Sequence, residues 1–203
     1  MFIEQLPNWV RRLYPGVKWR EDATSKVIYL TFDDGPIPEV TPWVLDVLDR
    51  YEIKATFFCV GDNVRKHPEV YQEVLRRGHR VGNHTFNHLR GFEIGCSRYV
   101  ENVHKASEWI ESDLFRPPHG QLRYAQLDAL LPEYRIVQWD VISRDYNGKL
   151  KPEKVLNIVK RYARNGSIVV FHDSIKAEKN MKFALPKALD YWIKQGFTFR
   201  TLE

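Results

Sequence analysis

Hydrophobic positions along the chain follow two periods that alternate with each other. Short apolar runs of strand length occupy residues 27–32, 55–60, 79–83, 114–116, 134–139, 167–171 and 197–200. Between these runs, apolar residues recur at helical spacing over residues 39–51, 68–77, 97–111, 122–130, 152–164 and 181–194. Strands that alternate with helices of this length are typical of βαβ units. We therefore predict an α/β protein with a mostly parallel sheet.

The number of predicted strands leaves two architectures open. About seven strands fit either a β/α barrel or an open doubly wound sheet, and the periodicity does not distinguish the two. The sequence of 203 residues contains no internal repeat and no Gly/Ser-rich linker. Because a domain commonly spans about 100–200 residues, we predict a single domain.

Ionisable residues follow five of the predicted strands. In both architectures the carboxyl ends of parallel strands lie on one face, and ligands bind there. The groups that come after these strands are Asp33 and Asp34, His84 and His88, Arg116 and His119, Asp140 and Asp145, and His172 and Asp173. We therefore expect these side chains to lie close to one another.

Two histidines and a pair of aspartates have the residue types of a metal centre. His84 and His88 are four residues apart, which puts both imidazoles on one side of a helix or tight turn. Two histidines and one carboxylate with an open position form a common catalytic zinc set. One of Asp33 and Asp34 can then bind the metal while its neighbour acts as a base. Each feature alone also fits a turn or a capping role, but their joint occurrence favours a metal site.

Residues 116–120 and His172 add candidates for acid–base and electrostatic catalysis. Arg116 can pair with a carboxylate, and a rigid Pro-Pro segment can aim a backbone N–H at an oxyanion. Beside a metal, His172 is a candidate general acid. The sequence contains no Gly-x-Ser-x-Gly elbow, no Gly-x-Gly-x-x-Gly loop and no Walker loop. Cys59 lies within an apolar strand, which argues against a thiol nucleophile.

Composition and charge exclude several further classes of protein. Apolar residues make up 43% of the chain and charged residues 28%, as in ordinary globular domains. The net charge of +5 arises in residues 144–203, which hold 13 basic and 6 acidic residues. We interpret this excess as solvated outer helix faces and not as a nucleic-acid-binding surface. Two cysteines, no leader pattern and no apolar run near ~18 residues predict a cytoplasmic protein without a transmembrane segment.

Five motifs of the sequence resemble those of polysaccharide deacetylases of the NodB-homology type, also called carbohydrate esterase family 4. The motifs are TFDDGP at residues 31–36, HTFNH at 84–88, RPPHG at 116–120, RDY at 144–146 and VVFHD at 169–173. The resemblance runs in order from about Lys26 to the end of the sequence. It implies a distorted (β/α)7 TIM-like barrel, with residues 1–25 as an N-terminal extension and residues 26–203 as one catalytic domain.

The resemblance also implies a metal site and a substrate site. The family's metal is usually zinc and sometimes cobalt or another divalent ion, and the matching ligand positions are Asp34, His84 and His88. The positions that match substrate-binding residues of the family are Pro117, Tyr146 and Val170. Of these, Val170 falls where the family places an apolar wall for the acetyl methyl group.

The remaining matches imply catalytic roles. Asp33 corresponds to the general base, and Arg116 to the residue that orients this base. His172 corresponds to the general acid, with Asp145 beside it adjusting its pKa. The backbone N–H of His119 corresponds to a donor that stabilises the oxyanion together with the metal.

Three positions depart from the family's pattern. Ile142 stands where the family usually has a second aspartate, and Tyr146 stands where it usually has tryptophan. His119 stands where an aromatic residue is common. The predicted metal and acid–base residues are unaffected by these departures, which concern the substrate subsites.

The resemblance implies metal-dependent removal of acetyl groups from N-acetylated sugars, such as a peptidoglycan or chitin-type glycan. Two alternatives stay within the same superfamily: an O-deacetylase of the acetyl-xylan type and a hydrolase of cyclic amides. A third is a non-catalytic glycan-binding module. The sequence disfavours this third alternative, because binding alone does not require both a base and an acid beside the metal ligands.

Overall fold

A parallel sheet with helices packed around it forms the scaffold of the chain. The computed structural model describes residues 4–203. Within them the strands are β1 Val27–Asp33, β2 Thr56–Cys59, β3 Arg80–Asn83, β4 Leu114–Phe115, β5 Arg135–Ile136, β6 Val141–Ile142, β7 Ser167–His172 and β8 Thr198–Phe199. Their order is β5-β4-β3-β2-β1-β7-β6, and β8 pairs with the first residues of β1. This half-barrel matches the predicted (β/α)7 barrel and confirms that fold class.

Eight α-helices of the described residues connect or flank the strands. They are α1 Asn8–Arg11, α2 Thr41–Arg50, α3 Gly61–Lys66, α4 Pro68–Arg76, α5 Cys96–Ser107, α6 Tyr124–Leu130, α7 Pro152–Tyr162 and α8 Glu178–Lys194. Two short 3₁₀ turns occupy Gly91–Glu93 and Pro118–Gly120. Proline stands at the beginning of α4 and α7, where its missing N–H costs no hydrogen bond.

The structure corrects two parts of the predicted element order. The run at residues 134–139 forms only the short strand β5, and a separate strand β6 follows and pairs with β7. Trp139 and Asp140 lie between strands β5 and β6 and belong to neither. Helix α3 was not predicted because its sequence GDNVRK carries one large apolar residue, Val64, and therefore shows no helical period.

Apolar side chains fill both sides of the sheet. A large cluster lies between the outer face of the sheet and helices α2, α4, α7 and α8. A smaller cluster inside the barrel is made by Phe58, Leu114, Val137, Ile168 and Leu202. This inner cluster does not reach the carboxyl ends of the strands, where polar residues are buried instead.

The two edge strands β5 and β6 do not pair with each other, and residues 18–20 cross the gap between them. Lys18 forms a parallel bridge with Val137, and Arg20 forms an antiparallel bridge with Ser167. Part of the N-terminal extension thus adds backbone hydrogen bonds to the barrel. No helix of residues 4–203 is both long enough and apolar enough to span a bilayer.

Candidate active site

A cavity of about 540 Å³ opens at the carboxyl end of the sheet. Its lining consists of Asp33, Asp34, His84, His88, Arg90, His119, Trp139, Ile142, Tyr146, His172 and Lys176. Parallel pairing explains why these distant residues meet, since every strand ends on the same side. In particular, Asp33 and His172 are register partners on the neighbouring strands β1 and β7.

Asp34, His84 and His88 form a cluster with the geometry of a metal site. One ligand atom of each residue lies within 4.8 Å of the other two. The Oδ1 atom of Asp34 is 3.2 Å from Nε2 of His88 and 3.8 Å from Nε2 of His84. Two imidazoles and a carboxylate form a donor set that suits zinc and similar divalent ions. The residues present therefore fit the metal that the sequence implies.

The hydrogen bonding of His84 prepares it to bind a metal. Its Nδ1 atom is 2.8 Å from the carbonyl oxygen of Arg116, which can only accept, so Nδ1 carries the proton. The Nε2 lone pair is then directed at the cluster. Burial lowers the pKa of His84 to about 4, against an opposing effect of the Asp33 charge. His84 is therefore neutral at physiological pH, which is the form in which an imidazole can bind a metal ion.

A strained turn, not a helix, brings the two histidines together. Residues 84–88 contain no helix, and the backbone of Thr85 and His88 has positive φ angles of 62° and 53°. The two imidazole centroids lie 5.1 Å apart. Burial would raise the pKa of Asp34, but the hydrogen bond with His88 and the charges of His172 and His88 lower it below its usual range.

Arg116 holds Asp33 from inside the barrel. The guanidinium is fully buried, and its Nη1 donates to Oδ1 of Asp33 at 2.6 Å and to Oγ1 of Thr31 at 2.8 Å. Its remaining nitrogens donate to the carbonyl oxygens of Val137 and Gln138. The guanidinium also lies over the ring of Phe58, 4.0 Å from the centroid. These contacts fix the position of the Asp33 carboxylate and give it a positively charged partner.

His172 and Asp145 form a second buried pair in the same cavity. The Nδ1 atom of His172 is 2.7 Å from Oδ1 of Asp145, and the backbone N–H of His172 donates to Oδ2 at 2.8 Å. Burial opposes the imidazolium, but the Asp145 carboxylate outweighs it and raises the pKa of His172 to about 9. The imidazole is therefore protonated at neutral pH, as a general acid must be.

The remaining predicted residues differ in their relation to the cavity. His119 lies against His88 with ring centroids 4.7 Å apart, and Tyr146 presents an edge-to-face contact to His172 at 4.9 Å. Pro117 and Val170 are buried and do not line the cavity. Val170 pairs in register with Ile142 on β6, and of these two apolar residues only Ile142 lines the cavity.

Sequence reasoning missed three residues of the cavity wall, Arg90, Trp139 and Lys176. It named Ile142, a fourth wall residue, only as a departure from the family's pattern. An aromatic residue at the end of a predicted strand was a usable signal for Trp139. Nothing in the sequence pattern separates Arg90 or Lys176 from other exposed basic residues, because they enter the cavity from loops.

Asp173 supports the loop of Asp34 and Gly35 from behind, a role that sequence reasoning did not assign. Its carboxylate accepts the backbone N–H of Gly35 at 3.0 Å and the hydroxyl of Thr41 at 2.6 Å. A Cβ atom at position 35 would lie 2.0 Å from the Asp173 carboxylate, so only glycine fits there. Burial raises the pKa of Asp173 to about 8.

Backbone strain is concentrated in the loops of this cavity. Among residues 4–203, six non-glycine residues have positive φ angles. Five of them, all except Glu52, belong to the predicted motifs: Asp34, Thr85, His88, His119 and Arg144. Left-handed conformations cost free energy for ordinary residues and collect at functional sites. The residues with positive φ angles therefore lie at the same face of the sheet as the ionisable side chains of the cavity.

Comparisons with known proteins agree with this geometry. The family model for polysaccharide deacetylases matches residues 20–131. A peptidoglycan-N-acetylglucosamine deacetylase of Bacillus cereus is 35% identical over 195 residues, covering 92% of this chain and 91% of that protein. The peptidoglycan-N-acetylmuramic acid deacetylase PdaC of Bacillus subtilis is 32% identical over 190 residues, which are 90% of this chain and 39% of PdaC.

A solved structure gives the same result for the fold. The crystal structure of the Bc1960 peptidoglycan N-acetylglucosamine deacetylase superposes with a TM-score of 0.88 and 28% identity. The match covers 96% of this chain and 94% of that chain. Sequence motifs, sheet topology and relatives therefore lead to one conclusion: the chain belongs to the polysaccharide deacetylase family of the NodB-homology type, carbohydrate esterase family 4.

Proposed function

We propose that the chain is a metal-dependent hydrolase that removes acetyl groups from the N-acetylated sugars of a peptidoglycan or chitin-type glycan. One observation carries this proposal. Asp33, which is ion-paired to Arg116, and His172, which is protonated, are register partners beside the Asp34, His84 and His88 cluster. A base, an acid and a metal site in one cavity are what amide hydrolysis requires.

Zinc is the ion that best suits the two imidazoles and one carboxylate of this cluster. When bound there, a divalent ion supplies a Lewis acid that lowers the pKa of water and polarises a carbonyl oxygen. The neutral state of His84 and the depressed pKa of Asp34 keep both ligands deprotonated at neutral pH. The protein thus presents the site in the protonation state that metal binding needs.

The chain's own residues then divide the proton transfers between them. Asp33 accepts the proton of the attacking water, and Arg116 holds this carboxylate in its orientation. His172 donates a proton to the departing amine, which leaves poorly as an anion. The backbone N–H of His119 contributes a hydrogen bond to the oxyanion of the tetrahedral intermediate.

Cavity size and lining support a sugar substrate. A volume of about 540 Å³ lies in the usual range for small-molecule sites, roughly 300–1,000 Å³. Trp139 and Tyr146 offer aromatic surfaces to a sugar ring, and Ile142 offers an apolar contact for an acetyl methyl group. The relatives named above act on N-acetylglucosamine and N-acetylmuramic acid of peptidoglycan, as their names state.

The test is acetate release from N-acetylglucosamine oligomers and from peptidoglycan, before and after removal of metal by a chelator. We expect activity to disappear with the metal and to return when zinc or cobalt is added. O-acetylated xylan, a cyclic amide and a binding assay serve as parallel measurements. Acetate from O-acetyl substrates alone would identify an esterase, and glycan binding without turnover would identify a binding module. Either result would contradict the proposal.

A base variant tests the assigned mechanism. Asp33→Asn keeps an oxygen for Arg116 but cannot accept a proton, so we expect kcat to fall by roughly 10²–10⁴-fold with metal content unchanged. Asp190→Asn, on the exposed outer side of α8, is the matched control and should retain wild-type activity. If Asp33→Asn hydrolyses substrate at the wild-type rate, Asp33 is not the base.

A further inference from the structure

The N-terminal segment before the first strand contacts the part of the cavity wall that carries Asp145. Glu4 makes two of these contacts. Its carbonyl oxygen accepts the backbone N–H of Ile142 at 3.2 Å, and its Oε1 atom accepts a hydrogen bond from Nη1 of Arg144 at 2.8 Å. Both side chains of this ion pair are largely buried, with 19% and 16% of their surface exposed. Such a pair is shielded from solvent more than an ordinary surface ion pair.

A second group of contacts anchors the same segment a few residues away. Asp140 is fully buried, and its Oδ1 atom is 2.7 Å from Nη2 of Arg11. Gln5 donates to the same carboxylate at 3.1 Å, as do Arg164 at 3.0 Å and Ser167 at 2.7 Å. The wall segment from residue 139 to residue 146 is therefore tied to the N-terminal segment at two places.

The strained part of this wall segment is the turn that precedes Asp145. Strand β6 has two residues and lies at the edge of the sheet, where it pairs only with β7. Arg144 adopts a positive φ of 64°, which turns the chain sharply just before Asp145. Beyond this turn, Asn180 donates to the carbonyl oxygen of Asp145 at 3.0 Å, and the Asp145 carboxylate contacts His172. Glu4 adds a largely buried ion pair to this turn from outside the cavity.

We propose that Glu4 is a positioning residue for the reaction, which acts through Arg144 to hold Asp145 against His172. The inference rests on the proposed deacetylase function and adds to it a residue of the N-terminal extension. Asp145 must stay within hydrogen-bond distance of Nδ1 to keep His172 charged and correctly turned. Without Glu4, Arg144 loses this ion pair, so the turn before Asp145 and the proton donor beyond it are held less precisely.

Leaving-group dependence separates this role from a merely structural one. An amine leaves only when it is protonated, so loss of the acid slows amide hydrolysis. The nitrophenolate of 4-nitrophenyl acetate leaves without a proton, because its pKa is about 7, and hardly needs His172. A residue that positions the acid must therefore affect the amide much more than the activated ester.

The experiment compares Glu4→Ala, Glu4→Gln and wild type on an N-acetylglucosamine oligomer and on 4-nitrophenyl acetate. For Glu4→Ala we expect kcat on the amide to fall about tenfold and kcat on the ester to fall less than about twofold. Glu4→Gln keeps the oxygen that accepts from Arg144 and should recover most of the amide activity. Glu21→Ala, which breaks the exposed Lys18–Glu21 pair in the same segment, is the matched control and should leave both rates unchanged.

A double variant tests whether Glu4 acts through Arg144. If it does, Glu4→Ala should produce no further loss on the amide when it is added to Arg144→Ala. Equal losses on amide and ester, unchanged rates in Glu4→Ala, or additive losses in the double variant would each overturn the inference while wild-type activity stands. A wild-type chain that releases no acetate from N-acetylated sugars would instead overturn the proposed function, and this inference with it. Should Glu4→Ala fail to fold, the amide-to-ester ratio of Arg144→Ala decides the matter, because this variant removes the other partner of the same ion pair. A ratio below that of Glu21→Ala supports the inference, and an equal ratio overturns it.

Discussion

Two histidines of one cavity, His84 and His172, are buried to similar degrees and yet have opposite proton affinities. Only 2% of His84 and 9% of His172 is exposed. The pKa of His84 is lowered to about 4, whereas that of His172 is raised to about 9. Burial lowers the pKa in both cases, so burial does not explain the difference.

The difference lies in the partner of Nδ1. In His84 this atom faces the carbonyl oxygen of Arg116, which carries no net charge and cannot offset the cost of burying an imidazolium. In His172 it faces the Asp145 carboxylate, which stabilises the charged ring. The ring of His84 is therefore neutral with a lone pair on Nε2, and the ring of His172 is protonated. In each ring, the partner of Nδ1 sets the protonation state. That state determines whether Nε2 offers a lone pair or a proton.

Removing His84 should produce the largest effect on this comparison. His84→Gln lacks the imidazole donor, so we expect metal content to fall below about one tenth of an equivalent and kcat to fall by roughly 10³-fold. Elemental analysis and acetate release measure the two quantities on the same sample. The control is His104→Gln on α5, whose imidazole pairs with Glu133 at the surface. A His84→Gln protein that still holds one metal per chain would show that this ring is not a ligand.

Asp145→Asn should have the next largest effect, because it makes the environment of His172 resemble that of His84. The asparagine cannot stabilise the imidazolium, so the pKa of His172 should fall, and kcat on the amide at neutral pH should fall by about 10²-fold. Metal content should not change. The control is again Asp190→Asn.

The dependence of the wild-type amide rate on pH shows whether protonation of His172 raises or lowers that rate. His172 works as an acid, so the amide rate should decline as pH rises through its pKa, which is about 9 in the metal-free protein. A bound divalent ion adds positive charge to the cavity and moves this alkaline limb to lower pH. In Asp145→Asn the limb should lie at still lower pH. An alkaline limb that stays in place would separate His172 from the observed proton transfer.

The smallest effect is expected at His119, one of the four histidines that line the cavity. Burial, followed by the charge of His88, lowers the pKa of His119, so the ring is neutral, and its proposed contribution is a backbone N–H. Asparagine tolerates the left-handed conformation at this position, where φ is 58°. We therefore expect His119→Asn to change kcat by less than about threefold and to leave the pH profile unaltered. A loss of 10²-fold or a shifted profile would assign a chemical role to the imidazole.

The fold and most of the cavity residues followed from local sequence signals. Alternating periods predicted the order of strands and helices, and ionisable residues after strands predicted which side chains would meet. The predictions failed for a strand and for side chains whose positions depend on contacts with residues distant in the sequence. Strand β6 is two residues long and exists because its backbone pairs with β7. Arg90 and Lys176 reach the cavity from loops whose course no period describes.

The sequence by itself determined the family, which candidate groups follow each strand along the chain, and the identities of the candidate ligands, base and acid. It did so because residue type and spacing follow the chemistry and the period of each element. Only the tertiary structure decided which nitrogen of each histidine faces the cavity and which is held from behind. It also placed Ile142 in the cavity lining beside the buried Val170, and it tied Glu4 to the loop before Asp145. The hydrogen bonds behind the two histidine rings and at Glu4 join residues 27 to 140 positions apart, and no local pattern encodes such contacts.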